Sequence, residues 1–304
     1  MQPVIPLTGS DVAGPLGVVH LPRLWQKAIL SKTGLLTERR YTDPRGFDVI
    51  LTAGLGVNLR SLHRHFDEIP TYMQTERWVL ENATRSDPGS IAKINEKIVP
   101  LYDNLGVWNE FHTWLTANRA TTHDAIVPAI SSRTNGPLGL NHLARLWVSM
   151  LLDALDLLPN GYRCCGMRIV VDEHGWRRRE PVPPGPDALD IPFLDEFGVD
   201  VEPYQQFVKA RLPTYQQFED YFKANARKFG TARIAPFNAL RINARPEKAA
   251  AMRAAVGLDD PSVQSSYLLN DLEDWQAIHA IAGASGTRPA PPAPDDESEG
   301  RRRR

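Results

Sequence analysis

At two matched places in the chain a histidine is followed three residues on by an arginine, His20 by Arg23 and His142 by Arg145, and these pairs point most directly to chemistry. Three apart on a helix, the side chains are neighbours on one flank. Each pair follows a Gly-Pro-Leu-Gly loop, residues 14–17 and 136–139, and so stands at a helix start. There, free backbone N–H groups and the positive end of the helix dipole favour an anion. Arginine adds a bidentate fork suited to a carboxylate or phosphate. The pattern predicts a small anionic molecule held by Arg23 and Arg145, with His20 and His142 as catalytic groups. The alternative is structural: each histidine satisfies a backbone carbonyl, and each arginine pairs with Glu76 or Glu219 to pin helices.

Tyr72 with Glu76, and Tyr215 with Glu219, stand one helical turn apart and present a hydroxyl and a carboxylate on one face. Acid–base catalysis in the same pocket would use them so, with the glutamates catalytic and the tyrosines ligand-binding; a buried packing pair is the competing role. Asn95 and Asn238 are mid-helix amides that either orient a ligand or bridge helices. Thr71 with Gln74 and Thr214 with Gln217 match a capping box, and Asp48 and Asp190 stand where N-caps are wanted. No multi-cysteine or His-Glu-x-x-His pattern marks a metal site, and no glycine-rich phosphate loop or dinucleotide fingerprint marks a cofactor. Neither a metal nor a cofactor is expected.

The elements that must position these residues come in duplicate. Residues 14–25 and 136–147 agree at nine of twelve positions, and the match resumes at Asp48/Asp190, Gly56-Val57/Gly198-Val199, Pro70-Thr71-Tyr72/Pro213-Thr214-Tyr215, Asn82/Asn225 and Asn95/Asn238. Leu21, Leu24, Trp25, Ala28 and Ile29 repeat at helical spacing, as do Leu143, Leu146, Trp147, Met150 and Leu151. Further helices are expected near 48–53, 59–68, 72–81 and 90–99, with Gly34 as a C-terminal cap. The predicted fold is mainly α: two homologous helical domains in pseudo-two-fold tandem, 1–118 and 136–283, joined by a linker at 119–135. In the second copy, residues 163–186 read as an inserted β-hairpin, with Met167–Val171 and Trp176–Glu180 around a polar turn. Such a hairpin is a pocket lip, a partner contact or a surface ornament. Residues 284–304, rich in Gly, Pro and Ala, then acidic, then ending in four arginines, read as a disordered tail.

Composition narrows the rest. With 35 basic against 36 acidic residues there is no charge excess for nucleic acid. No apolar run suits a membrane span and no leader stands at residues 1–10, so a cytoplasmic protein is expected. The two cysteines, Cys164 and Cys165, are adjacent, and a disulfide between neighbours is strained; they read as incidental thiols.

The His-Leu-Pro-Arg-Leu-Trp segment at 20–25, with Gly46 to Asp48, Leu55 to Val57, Trp78-Val79 and Ile94-Asn95, resembles the bacterial family of domain of unknown function 5069. The second copy is similar through His142 to Arg145 and through Asp271 to Trp275, but lacks a proline at Ala144 and carries the hairpin. The resemblance implies small helical domains without an assigned reaction, here fused as in a dimer, with any site at the interface of the copies. The expected function is binding of a small anionic metabolite, with metal-free acid–base action on it. The competing expectation is a non-catalytic helical interaction module, engaging a protein partner through the hairpin or the tail.

Overall fold

The structure is a computed structural model, which describes residues 5–36, 46–122, 124–182, 189–242 and 249–284. The expected tail lies outside these residues, apart from Ala284 itself. The described chain is mainly helical. Helices α1 (Leu21–Lys32), α2 (Phe47–Leu55), α3 (Leu59–Phe66), α4 (Tyr72–Asn82), α5 (Pro88–Ile98) and α6 (Asn104–Asn118) precede α7 (Leu143–Ala154). Strands β1 (Arg163–Cys164), β2 (Met167–Val171) and β3 (Arg177–Pro181) follow, then α8 (Asp190–Phe197), α9 (Val201–Arg211), α10 (Tyr215–Asn225), α11 (Ile234–Ile242), α12 (Ala249–Ala255) and α13 (Ser266–Ala284).

Local chemistry sets most helix ends. Thr71 and Thr214 each accept from the backbone N–H three residues on, while Gln74 and Gln217 reach back, so both capping boxes form. Gly34 follows α1 with φ 69°, the left-handed geometry glycine takes without penalty. Asn82 and Asn225 close their helices by donating to Trp78 O and Tyr221 O, both at 2.8 Å. The expected hairpin forms as the antiparallel pair β2–β3, in which Ile169 opposes Arg179, and gains β1 as a third strand through a tight turn at Cys165 (φ 48°) and Gly166 (φ 80°).

Among the described residues two hydrophobic cores form, and each draws a helix from the other half of the sequence. One holds α1 to α5 together with Leu269, Leu272, Trp275, Ile278 and Ala282 of α13. The other holds α7 to α11 together with Val107, Trp108, Phe111 and Leu115 of α6. Residues 1–118 therefore give their last helix to the second core, and the second copy returns its own to the first. Of residues 119–135, which the sequence offers as a linker, the stretch 126–134 runs mostly through the interior: Ile126, Val127, Ala129 and Ile130 are buried, and Thr8 donates to Ala129 O at 3.2 Å. Among the described residues, no helix is long and apolar enough to cross a membrane.

Candidate functional site

The loops that end in His20 and His142 are held by the residues the sequence singled out. Glu76 accepts from Leu16 N at 3.1 Å and from the Tyr72 hydroxyl at 2.6 Å. Glu219 does the same for Leu138 N at 2.9 Å and Tyr215 at 3.1 Å. Asn95 accepts from Val19 N and donates to Gly17 O at 3.0 and 2.9 Å; Asn238 does so with Asn141 N and Gly139 O at 2.9 and 2.7 Å. A carboxylate thus sits on each Gly-Pro-Leu-Gly loop, and it is the protein's own. Tyr72, Glu76 and Asn95 act as a brace, and so do Tyr215, Glu219 and Asn238. Burial pushes the Glu76 carboxyl up to about 7 and raises the Tyr72 and Tyr215 hydroxyls well above their ordinary range.

Both histidines take the left-handed backbone conformation just before their helices, φ 69° at His20 and φ 74° at His142. That conformation is costly for a residue with a Cβ, and two side-chain hydrogen bonds hold each ring in it. His20 Nε2 lies 2.7 Å from Asp48 Oδ1 and its Nδ1 2.8 Å from Ser10 Oγ. His142 Nε2 lies 2.8 Å from Asp190 Oδ1 and its Nδ1 3.0 Å from Ser132 Oγ. Burial lowers the His20 pKa to about 4, so its ring is neutral near pH 7, with Nε2–H donating to Asp48 and Ser10 donating to Nδ1. Burial pushes the Asp48 and Asp190 carboxyls up, but the hydrogen bonds from their histidines, together with Lys27 at Asp48 and with the Cys165 N–H and Arg145 at Asp190, outweigh it and both stay below the usual carboxylate range. The two aspartates do not serve as N-caps, since the cap positions are Gly46 and Leu189.

A Ser-His-Asp chain suggests a nucleophile, but the ring is turned the other way from an acyl-transfer triad, in which Nε2 meets the serine. Ser10 and Ser132 are also buried. The serines position the rings. The arginines make no bond to Glu76 or Glu219 in the described contacts. Arg23 donates to Pro6 O and Thr8 O at 3.1 and 2.7 Å; Arg145 donates to Pro128 O and Ile130 O and pairs with Asp274 at 2.5 Å. Asp274 also accepts from the Tyr162 hydroxyl at 2.8 Å.

The halves differ at one position between histidine and cavity. In the first, Lys27 places Nζ 2.8 and 2.9 Å from the two oxygens of Asp48, beside a cavity of about 230 Å³ lined also by His20, Arg23 and Tyr102. In the second, the equivalent residue is Ser149, and a cleft of about 470 Å³ opens over His142, Arg145 and Asp190. One wall is the turn and strand at Asn160 to Arg163, and another is α13 through Asn270, Glu273 and Asp274. The Asp190 side chain is 15% exposed, against 4% for Asp48. Of the expected hairpin at 163–186, Arg163, Gly166 and Val182 line the cleft, while β2 and β3 themselves do not.

Cys164, Cys165 and Asp190 place their sulfur and oxygen atoms within 4.8 Å of one another, the group among the described residues best able to hold a soft metal ion. The Cys164 thiol is raised well above its ordinary range by its hydrogen bond with Cys165 and by burial, so a metal would have to displace its proton.

No protein family, curated protein or solved structure was found to match the chain. The site rests on its geometry alone.

Sequence reasoning missed Ser10, Ser132, Lys27 and Ser149. All four lie in the register of the matched segments at 14–25 and 136–147, so extending that alignment four residues back and two forward finds them.

Proposed function

We propose that this chain binds a small polar metabolite in the second-half cleft and handles a proton there through Asp190 and His142. One observation carries the reading: Ser149 stands where Lys27 occupies Asp48 in the first half, so the same Ser-His-Asp arrangement faces about 470 Å³ of open volume with no lysine on its aspartate, against about 230 Å³ in the first half. A cleft of several hundred Å³ with convergent polar groups is the usual setting of a small-molecule site. The expected anionic ligand finds its loop amides already taken by Glu76 and Glu219 and Arg145 neutralised by Asp274. What supports the narrower reading is a carboxylate, held ionised by an oriented imidazole, at the floor of the cleft. The resemblance to domain of unknown function 5069 adds no reaction to this proposal.

Thermal melting against a panel of anionic, neutral and cationic metabolites, with Ser149→Trp as a variant that fills the cleft, tests it. A ligand that raises the melting midpoint of the parent chain and not of Ser149→Trp is the expected result. A shift that survives in the variant, or none from the panel, sinks the cleft.

One observation favours the interaction-module reading instead. Trp176, beside the Asp172–Gly175 turn that joins β2 to β3, is 75% exposed, and large aromatics of this kind anchor protein interfaces. Co-purification of one stoichiometric partner with the parent chain and not with Trp176→Ser would favour it.

A further inference from the structure

We infer that the ligand of the second-half cleft carries a primary ammonium group, which seats against Asp190 in the place that the Lys27 ammonium takes against Asp48. The inference rests on the cleft being a ligand site and names its substrate class: a small aliphatic primary amine.

The first half supplies the template. There the histidine, arginine and aspartate surround an ammonium on a short aliphatic stem, with Nζ bonded to both carboxylate oxygens of Asp48. His20, Arg23 and Lys27 run at i, i+3 and i+7 along α1, and His142, Arg145 and Ser149 repeat that spacing along α7. Truncation to serine removes the stem and the charge together. The carboxylate remains, fixed by His142 at Oδ1 and by the Cys165 N–H at Oδ2, 2.8 Å each. A carboxylate oxygen accepts two hydrogen bonds, so each Asp190 oxygen, having one of these protein donors, keeps capacity for an N–H from the cleft.

The walls fit the rest of such a molecule. Met252, Ala277, Val182 and Leu189 offer apolar surface for an alkyl chain. Glu273 and Asp274 line the cleft with Asp190, as do Arg145 and Arg163, and the Arg145 charge is met by Asp274. An aliphatic ammonium stays protonated at neutral pH, with a pKa near 10. Pairing with a carboxylate through charge-assisted hydrogen bonds offsets the cost of taking it from water.

Calorimetric titration of the full chain with n-butylamine, the lysine side chain without its backbone, tests this, with tetramethylammonium, butyrate and butanol as comparators. Butylamine is expected to bind at one site and tetramethylammonium, which has no N–H, is not. Asp190→Asn should weaken binding at least about tenfold, as loss of a charge-assisted hydrogen bond does. Ser149→Lys supplies the ammonium internally and should abolish butylamine binding while raising the melting midpoint. Absence of butylamine binding, or binding unchanged in a folded Ser149→Lys chain, overturns the proposal. If butyrate or butanol binds instead and Ser149→Lys removes it, the amine class falls and the cleft stands. If neither these probes nor the metabolite panel binds, both fall.

Discussion

The ring of Trp275 lies 4.4 Å from that of Tyr72, and the ring of Trp108 lies 4.4 Å from that of Tyr215. Each tryptophan belongs to the helix that closes one copy in the sequence and packs on the brace tyrosine of the other. Trp275→Ala should therefore cost about 3–5 kcal/mol, as large buried aromatics do. Its damage is expected in α1 and α4, from the opposite end of the chain. Hydrogen exchange with mass spectrometry checks this, and loss of protection confined to α12 and α13 would contradict the exchanged packing. Trp108→Ala should act likewise on α7 and α10.

Glu76 makes stability depend on pH in a sense opposite to most carboxylates. Burial raises its folded pKa to about 7 from the ordinary 4.5, so the folded chain binds the proton more tightly than the unfolded one. Its contribution is present below about pH 4.5, declines as pH rises towards 7, and then stays lost. The decline amounts to at most about 3 kcal/mol. Glu76→Gln, which cannot ionise, should flatten that part of the profile. Urea denaturation of both chains from pH 4.5 to 8 measures the difference, and parallel profiles would place the Glu76 carboxyl at its ordinary value.

The left-handed backbone at His142 separates its conformational cost from its hydrogen bonds. Either His142→Gly or His142→Ala removes the bonds to Ser132 and Asp190 and should destabilise by roughly 1–3 kcal/mol. Glycine tolerates φ 74° and alanine does not, so the alanine variant should be less stable than the glycine variant by about 1 kcal/mol. Equal unfolding midpoints would mean that the backbone relaxes once the ring is gone.

Much of the local structure was written in the chain. The helical stripe of Leu21, Leu24, Trp25, Ala28 and Ile29, the capping boxes at Thr71 and Thr214, the Gly34 cap and the hairpin around residues 167–180 all depend on contacts a few residues long. The matched segments also brought out Tyr72, Glu76 and Asn95 with their second-copy equivalents, and these do converge on one loop in each half. Their role was not legible. A tyrosine and glutamate one turn apart look alike whether they face a ligand or a backbone amide 60 residues away.

The sequence by itself determined the elements, their duplication in register and the residue types gathered near each histidine. Only the tertiary structure decided that Asp48 meets His20 rather than capping its helix, that α6 and α13 close each other's cores, and that Ser149 leaves a wider cleft where Lys27 narrows its counterpart. The reason is that periodicity and capping encode which face of a helix is buried and where it ends, through interactions within a turn or two. Which distant surface covers that face, and whether a charge finds its partner within the chain or awaits one from solution, depends on contacts that no local spacing specifies.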